Sequence, residues 1–334
     1  MGTPSTAIYR YDLSISFGEF STVLNRRGYI GLQVLTPIGV AMQSAKFSVL
    51  PKEALLMPIE DTKRAPKGGY KRDEFEWETA EYATDEHGVE EPMDDRTIAM
   101  YGQEIRAEVI TAERTIQRVA QAYEKEVADA VFNATTWTGA TLTTAVSTDW
   151  TTADTATPIS DIDGAIDKVE ESCGHRPNAL IIPRYALMKM LRTAEISDQI
   201  KYSGHWDPAS LQREAGAIVK EFFQLEKLLI ADGMYNSAGL GQDATFARVW
   251  DQTMCMVAHV HDSMDLEDPM PTIGRTIVWS EESGPLAGTD NGPGLIVEEY
   301  REEATRGSVI RGRTDYEVKI LYPECGHLLT GITA

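Results

Sequence analysis

Three places in the chain bring together residue types able to do chemistry. The first is His259-Val260-His261-Asp262. On a strand, positions i and i+2 share a face, so these two imidazoles could ligate one zinc ion. A metal needs a third and a fourth ligand, and His87, His175, His205 and His327 stand at no matching spacing. The sequence reading is a strand end with partly exposed histidines. The second is Asp161-Ile162-Asp163-Gly164. It lacks the third side-chain oxygen and the distal glutamate of a calcium loop, so helix capping is the better reading. The third is Cys325 with His327, a nucleophile and a base in principle. Near neighbours on an extended segment rarely meet.

Nothing else commits the chain to catalysis. Walker A, G-x-G-x-x-G, G-x-S-x-G and H-E-x-x-H patterns are all absent from the sequence. No catalytic, cofactor-binding or metal-binding residue is therefore assigned. The cysteines are Cys173, Cys255 and Cys325. An odd count without C-x-x-C spacing argues for reduced thiols and a cytoplasmic setting. Cys255, in Met254-Cys255-Met256, reads as inert core.

The 334 residues are 42% hydrophobic and 25% charged, which excludes disordered and collagen-like chains. The formal net charge of −21 disfavours a protein held together by nucleic-acid phosphates. No apolar run is long enough for a membrane span, and Met1–Ser16 does not read as a secretory signal.

Residues 1–45 carry Arg10, Arg26 and Arg27 against Asp12 and Glu19, with Gly28, Gly31, Pro37 and Gly39 breaking the pattern. They read as an arm that needs a partner surface. From Lys46 the charge is sorted. Residues 63–72, KRAPKGGYKR, hold five basic residues and no acid, whereas 73–95 hold eleven acids and no base. Phe75-Glu76-Trp77-Glu78 alternates as a half-covered strand does, with Phe47–Leu50 as the outgoing strand. An isolated hairpin is marginal in water. Residues 46–95 therefore read as an extended loop lying on a neighbouring subunit, or as a solvated acidic loop. Lys63, Arg64, Lys67, Lys71, Arg72, Glu76, Trp77 and Glu78 are its candidate inter-subunit contacts.

Ile98, Tyr101, Ile105, Val109, Ala112, Ile116, Val119, Ala120, Tyr123, Val127, Ala130 and Val131 recur at spacings of one to four, predominantly three and four. That stripe predicts one long helix over Thr97–Asn133, capped by Asp94 or Asp95. A Thr-rich linker follows. Ser160 then opens a helix with Asp163 in an approximate capping box, and Gly174 closes it. Strands are expected at Ala179–Ile182, Leu228–Ala231 and Arg248–Val260, and helices at Tyr185–Leu191 and within 204–224. The end is nearly all β, at Arg275–Trp279, Gly294–Tyr300, Ser308–Arg311 and Tyr316–Leu321.

This order of parts resembles the major capsid proteins of tailed bacteriophages, the Hong Kong 97-type fold. The likeness is closest at Glu81-Tyr82, Gly88-Val89-Glu90-Glu91-Pro92 and Asp94-Asp95-Arg96, leading into the long helix. It extends through Val297–Tyr300, Gly307–Arg311, Asp315–Lys319 and Cys325–Leu329, where His327 takes a place the family usually gives to an aromatic residue. The resemblance implies an α+β fold with an N-terminal arm (1–45), an extended loop (46–95) and a peripheral domain with the spine helix (96–158). An axial domain (159–265), peripheral return strands (266–313) and a C-terminal strand rejoining the axial domain (314–334) complete it. It further implies a non-enzymatic shell of pentamers and hexamers enclosing double-stranded DNA in a virion assembled in the host cytoplasm. Portal, scaffolding or decoration proteins would be partners; no cofactor or membrane is implied. A separate scaffold is expected, since no helical domain precedes the arm. Lys63, Lys67 and Lys71 lie at a plausible loop tip, but no cross-link partner can be assigned. A nanocompartment shell, or a metal-dependent α/β enzyme with a lid at 46–95, are the other readings.

Overall fold

The computed structural model describes residues 8–9, 28–49, 63–64, 66, 68, 70, 78–101, 107–202, 208–239, 241–263, 270–281 and 294–333. Its first part runs β1 (Ile8–Tyr9), α1 (Gly31–Val34), β2 (Pro37–Val40), β3 (Ser44–Val49), β4 (Glu78–Ala83) and β5 (Asp85–Asp94). Two helices follow, α2 (Asp95–Tyr101) and α3 (Ala107–Val131), then β6 (Thr143–Ala145). The middle holds α4 (Pro158–Cys173), β7 (Ala179–Pro183), α5 (Arg184–Met190), α6 (Ala194–Tyr202), α7 (Pro208–Phe223) and β8 (Lys227–Ala231). The remainder is β9 (Met234–Asn236), β10 (Phe246–Arg248), β11 (Met254–Ala258), β12 (Gly274–Trp279), β13 (Ile296–Glu302), β14 (Gly307–Ile320) and β15 (Gly326–Thr330). Among the described residues no helix is long and apolar enough to cross a membrane.

Two sheets carry the structure. In the five-stranded sheet, ordered β6-β15-β11-β7-β8, the pair β7–β8 is parallel and is linked by α5, α6 and α7. Ile181 of β7 packs in one hydrophobic cluster, while Leu180 and Ile182 pack in the other. Both faces of the strand are therefore covered, which is why it reads as an unbroken apolar run. The six-stranded sheet is built around β14. Along its first half β14 lies between β5 and β13, and along its second half it pairs β12.

Several expectations are corrected. The expected strands Ser308–Arg311 and Tyr316–Leu321 are not separate but run together as one 14-residue β14 that ends at Ile320, because pairing with β5 continues across the interval. The expected strand Arg248–Val260 is instead β10 and β11, separated by a turn in which Thr253 N–H donates to the Asp251 carboxylate. The expected spine is α2 and α3, with residues 102–106 outside the described set. The 25-residue α3 measures roughly 37 Å at ~1.5 Å per residue. Val109, on the expected stripe, is exposed. The capping box at Ser160 and Asp163 does not form: α4 begins at Pro158, and Glu195 accepts from Ile159 N–H at 3.0 Å. Asp161 accepts from the Trp150 indole at 3.0 Å instead. Gly174 does end α4, with φ of 75° that a side-chain-bearing residue would resist.

Sheet pairing also cuts across the expected division of the chain. Thr143–Ala145, grouped with 96–158, pairs with β15 in the five-stranded sheet. Residues 314–320, grouped with the C-terminal strand, belong to the six-stranded sheet. Most telling, residues 29–40, read as part of an arm that needs a partner surface, find that surface within their own subunit. Tyr29, Ile30, Val34, Leu35 and Ile38 are buried, and β2 adds parallel to β12. Strands far apart in sequence pair by matching registers that sequence order alone does not encode.

Candidate assembly interface

The two-stranded sheet β3–β4 stands apart from both large sheets. Its register sets Lys46 opposite Glu81, with an exposed ion pair at 3.8 Å, and Phe47 opposite Ala80, with the Phe47 and Tyr82 rings 6.2 Å apart. Of its residues only Tyr82 is buried; β3 alternates between exposed and half-buried. The hairpin is held at its root, where Ala83 N–H donates to the Glu317 carboxylate at 2.7 Å. An open cleft of about 500 Å³ lies there, lined by Lys46, Glu81, Tyr82, Glu317 and Lys319 among others.

Of the eight candidate contacts, Lys63, Arg64 and Glu78 are described; Lys67, Lys71, Arg72, Glu76 and Trp77 lie outside the described residues. Arg64 is used locally. It donates to the Gly68 carbonyl at 2.6 Å and stacks its guanidinium 4.7 Å from the Tyr70 ring centre. Glu78 is exposed at the end of β4, opposite Val49.

The acidic run 73–95 is not one surface. Its last ten residues before the helix are β5, paired in full along β14, so they belong to the subunit's own sheet. Glu90 and Glu298 flank Arg311 at 3.6 and 2.8 Å, Glu91 pairs with Arg114 at 3.0 Å, and Arg301 clamps Asp95 through two bonds of 2.6 Å. That clamp holds the Asp95 carboxyl below its ordinary range. Glu90, Glu91 and Asp95 are thus neutralised within the chain. Glu78, Asp85, Glu86 and Asp94 remain exposed.

One group that sequence reasoning missed fixes the arm. Glu124, on the buried face of α3, accepts from Ile30 N–H at 2.9 Å, Gly31 N–H at 2.8 Å and the Trp250 indole at 2.6 Å. Burial pushes its carboxyl above the usual range despite these bonds. The signal was available. Glu124 sits four residues after Ala120 and three before Val127, an acid within an apolar stripe. A methyl on Gly31 would stand 2.7 Å from Glu124 Oε2. Gly31→Ala is expected to displace the carboxylate and lower stability by about 1–3 kcal/mol, read from urea-unfolding midpoints.

The three chemical constellations resolve differently. His259 is buried, not partly exposed, because the chain folds back so that Nδ1 meets the Pro271 carbonyl at 2.7 Å. Burial holds its pKa low. Among the described residues no group of three or more His, Cys, Asp or Glu is placed to hold a metal. His327 lies between Thr144 Oγ1 at 2.9 Å and the Thr141 carbonyl at 2.7 Å, bracing β6 against β15. Cys325 instead faces Cys173, with the sulfurs 2.6 Å apart.

No family model and no curated protein matches the sequence. Solved structures do. A phage-related protein from Bordetella bronchiseptica RB50 is 18% identical with a TM-score of 0.69, over 98% of each chain. The virus-like particle from Pyrococcus furiosus gives 13% and 0.54, over 96% of this chain and 98% of that one. The capsid of Myoviridae phage XM1 gives 9% and 0.51, over 99% and 94%. The chain has the Hong Kong 97-type capsid fold. The match runs through 98% of the chain rather than one sheet.

Proposed function

We propose that the chain is a major capsid protein that self-assembles as pentamers and hexamers into the icosahedral head shell enclosing phage double-stranded DNA. The observation that carries this reading is the β3–β4 hairpin. It is a two-stranded sheet with one buried residue, outside every hydrophobic cluster of the subunit. Such an element gains stability by lying on another surface, and a neighbouring copy supplies one in a closed shell. Its exposed charges favour one register over others. The net charge of −21 keeps packaged DNA from adhering to the inner wall. Scaffolding, portal or decoration proteins, and assembly in the host cytoplasm before the virion forms, belong to the same proposal.

Expression of the full chain, with and without a candidate scaffold, tests it by light scattering and negative-stain electron microscopy. Rings, tubes or icosahedral shells in the megadalton range are expected. A monomer or dimer under every condition would sink self-assembly as the function. Particles that never take up DNA when a packaging system is supplied would count against the DNA-enclosing part of the proposal.

A further inference from the structure

We infer that Cys173 and Cys325 form an intramolecular disulfide under oxidising conditions. The two sulfurs lie 2.6 Å apart, 152 residues from each other in the chain. A disulfide bond is ~2.05 Å long, so closure needs a shift of roughly half an ångström. The backbone around the pair is fixed independently. Cys173 is the last residue of α4, and the next residue, Gly174, ends the helix. Ser172 Oγ donates to the Glu324 carbonyl at 2.7 Å, tying together the residues just before each cysteine. On the other side His259 N–H donates to the Cys325 carbonyl at 2.8 Å. Both thiols are buried in one hydrophobic cluster, whereas Cys255 lies in the other. The pairing is therefore selective, and it leaves one cysteine over, as the odd count requires.

The oxidant is a small disulfide such as oxidised glutathione. One cysteine thiolate attacks it, breaking its S–S bond and releasing one glutathione thiol. The second cysteine displaces the other glutathione, forming the Cys173–Cys325 bond. Two protein thiols lose two electrons; the two thiol protons end on two reduced glutathiones. A reducing cytosol keeps the pair open, and an oxidising medium closes it. The bond would clamp the end of α4 to the turn leading into β15 of the five-stranded sheet. It does not depend on shell assembly.

The test counts thiols on the full chain. Protein purified under reducing conditions is divided between incubation with oxidised glutathione and refolding from denaturant in a glutathione redox buffer. Each sample is then denatured and labelled with a maleimide-polymer. Three labels per chain before oxidation should fall to one, mapped to Cys255 by peptide mass spectrometry, and return to three with dithiothreitol. Cys173→Ser and Cys325→Ser should each show two labels whatever the oxidant, and the melting temperature of the oxidised wild type should rise by several degrees. If a variant fails to fold, the peptide map of the wild type decides alone. Three labels in both arms, or a bond that involves Cys255 or a second chain, would overturn the inference.

Discussion

Glu124→Leu is expected to unfold the N-terminal anchor and destabilise the subunit by about 3–5 kcal/mol. The substitution is close to isosteric, so the loss comes from hydrogen bonding. Two backbone N–H groups, of Ile30 and Gly31, and the Trp250 indole N–H would face an apolar side chain. Each unpaired buried donor costs ~1–3 kcal/mol, and partial opening to water recovers some of that sum. Residues 29–40 would then lose their hold on α3, and β2 would pair less firmly with β12. Chemical denaturation measures the first effect; amide exchange at Ile30, Gly31 and the residues of β2 measures the second. An unchanged midpoint would show that the anchor is not energetically coupled to the core.

The same carboxyl gives a pH dependence with a definite sign. Burial raises its folded-state pKa above the ordinary 4.5. A raised folded pKa means that the group's stabilising contribution is fully present below the unfolded value. It is lost as pH rises through the folded value. Glu124→Gln removes this titration. The stability of Glu124→Gln relative to wild type should therefore move in the variant's favour as pH climbs from 4.5 upward. Urea midpoints of the two proteins across that range provide the comparison, and parallel curves would refute it.

Neutralising the loop tip should have the largest effect on assembly. Replacing Lys63, Arg64, Lys67, Lys71 and Arg72 together with glutamine removes five positive charges from a chain of net charge −21. Lys63 and Arg64, the two that are described, belong to no hydrophobic cluster of the described residues, so the subunit's melting temperature should stay within a few degrees of wild type. Shell formation should fail, because the tip loses its attraction for acids of a neighbouring copy. Raising salt from 0.1 to 1 M shortens the screening length from ~10 to ~3 Å, and should slow wild-type assembly in the same direction. Arg64→Gln alone is the informative control. Arg64 is already engaged by Gly68 and Tyr70, so its loss should loosen the tip without abolishing particles. Normal particles from the five-fold variant at physiological salt would remove the tip from the interface.

Sequence alone determined the local elements, because their causes are local. The buried strand at Ala179, the helix closed by Gly174 and the helical stripe from Ala112 to Val131 follow from apolar periodicity and from glycine's freedom at positive φ. The resemblance assembled those elements into the right fold. Tertiary structure decided where separated segments meet. Acids 85–95, read as part of a loop reaching outward, are drawn into the subunit by register with β14 and by Arg114, Arg301 and Arg311. The arm is anchored inward by Glu124, and Cys173 meets Cys325 across 152 residues. Periodicity tells which face of an element is buried, while the identity of the surface that covers it depends on long-range pairing that no local pattern records.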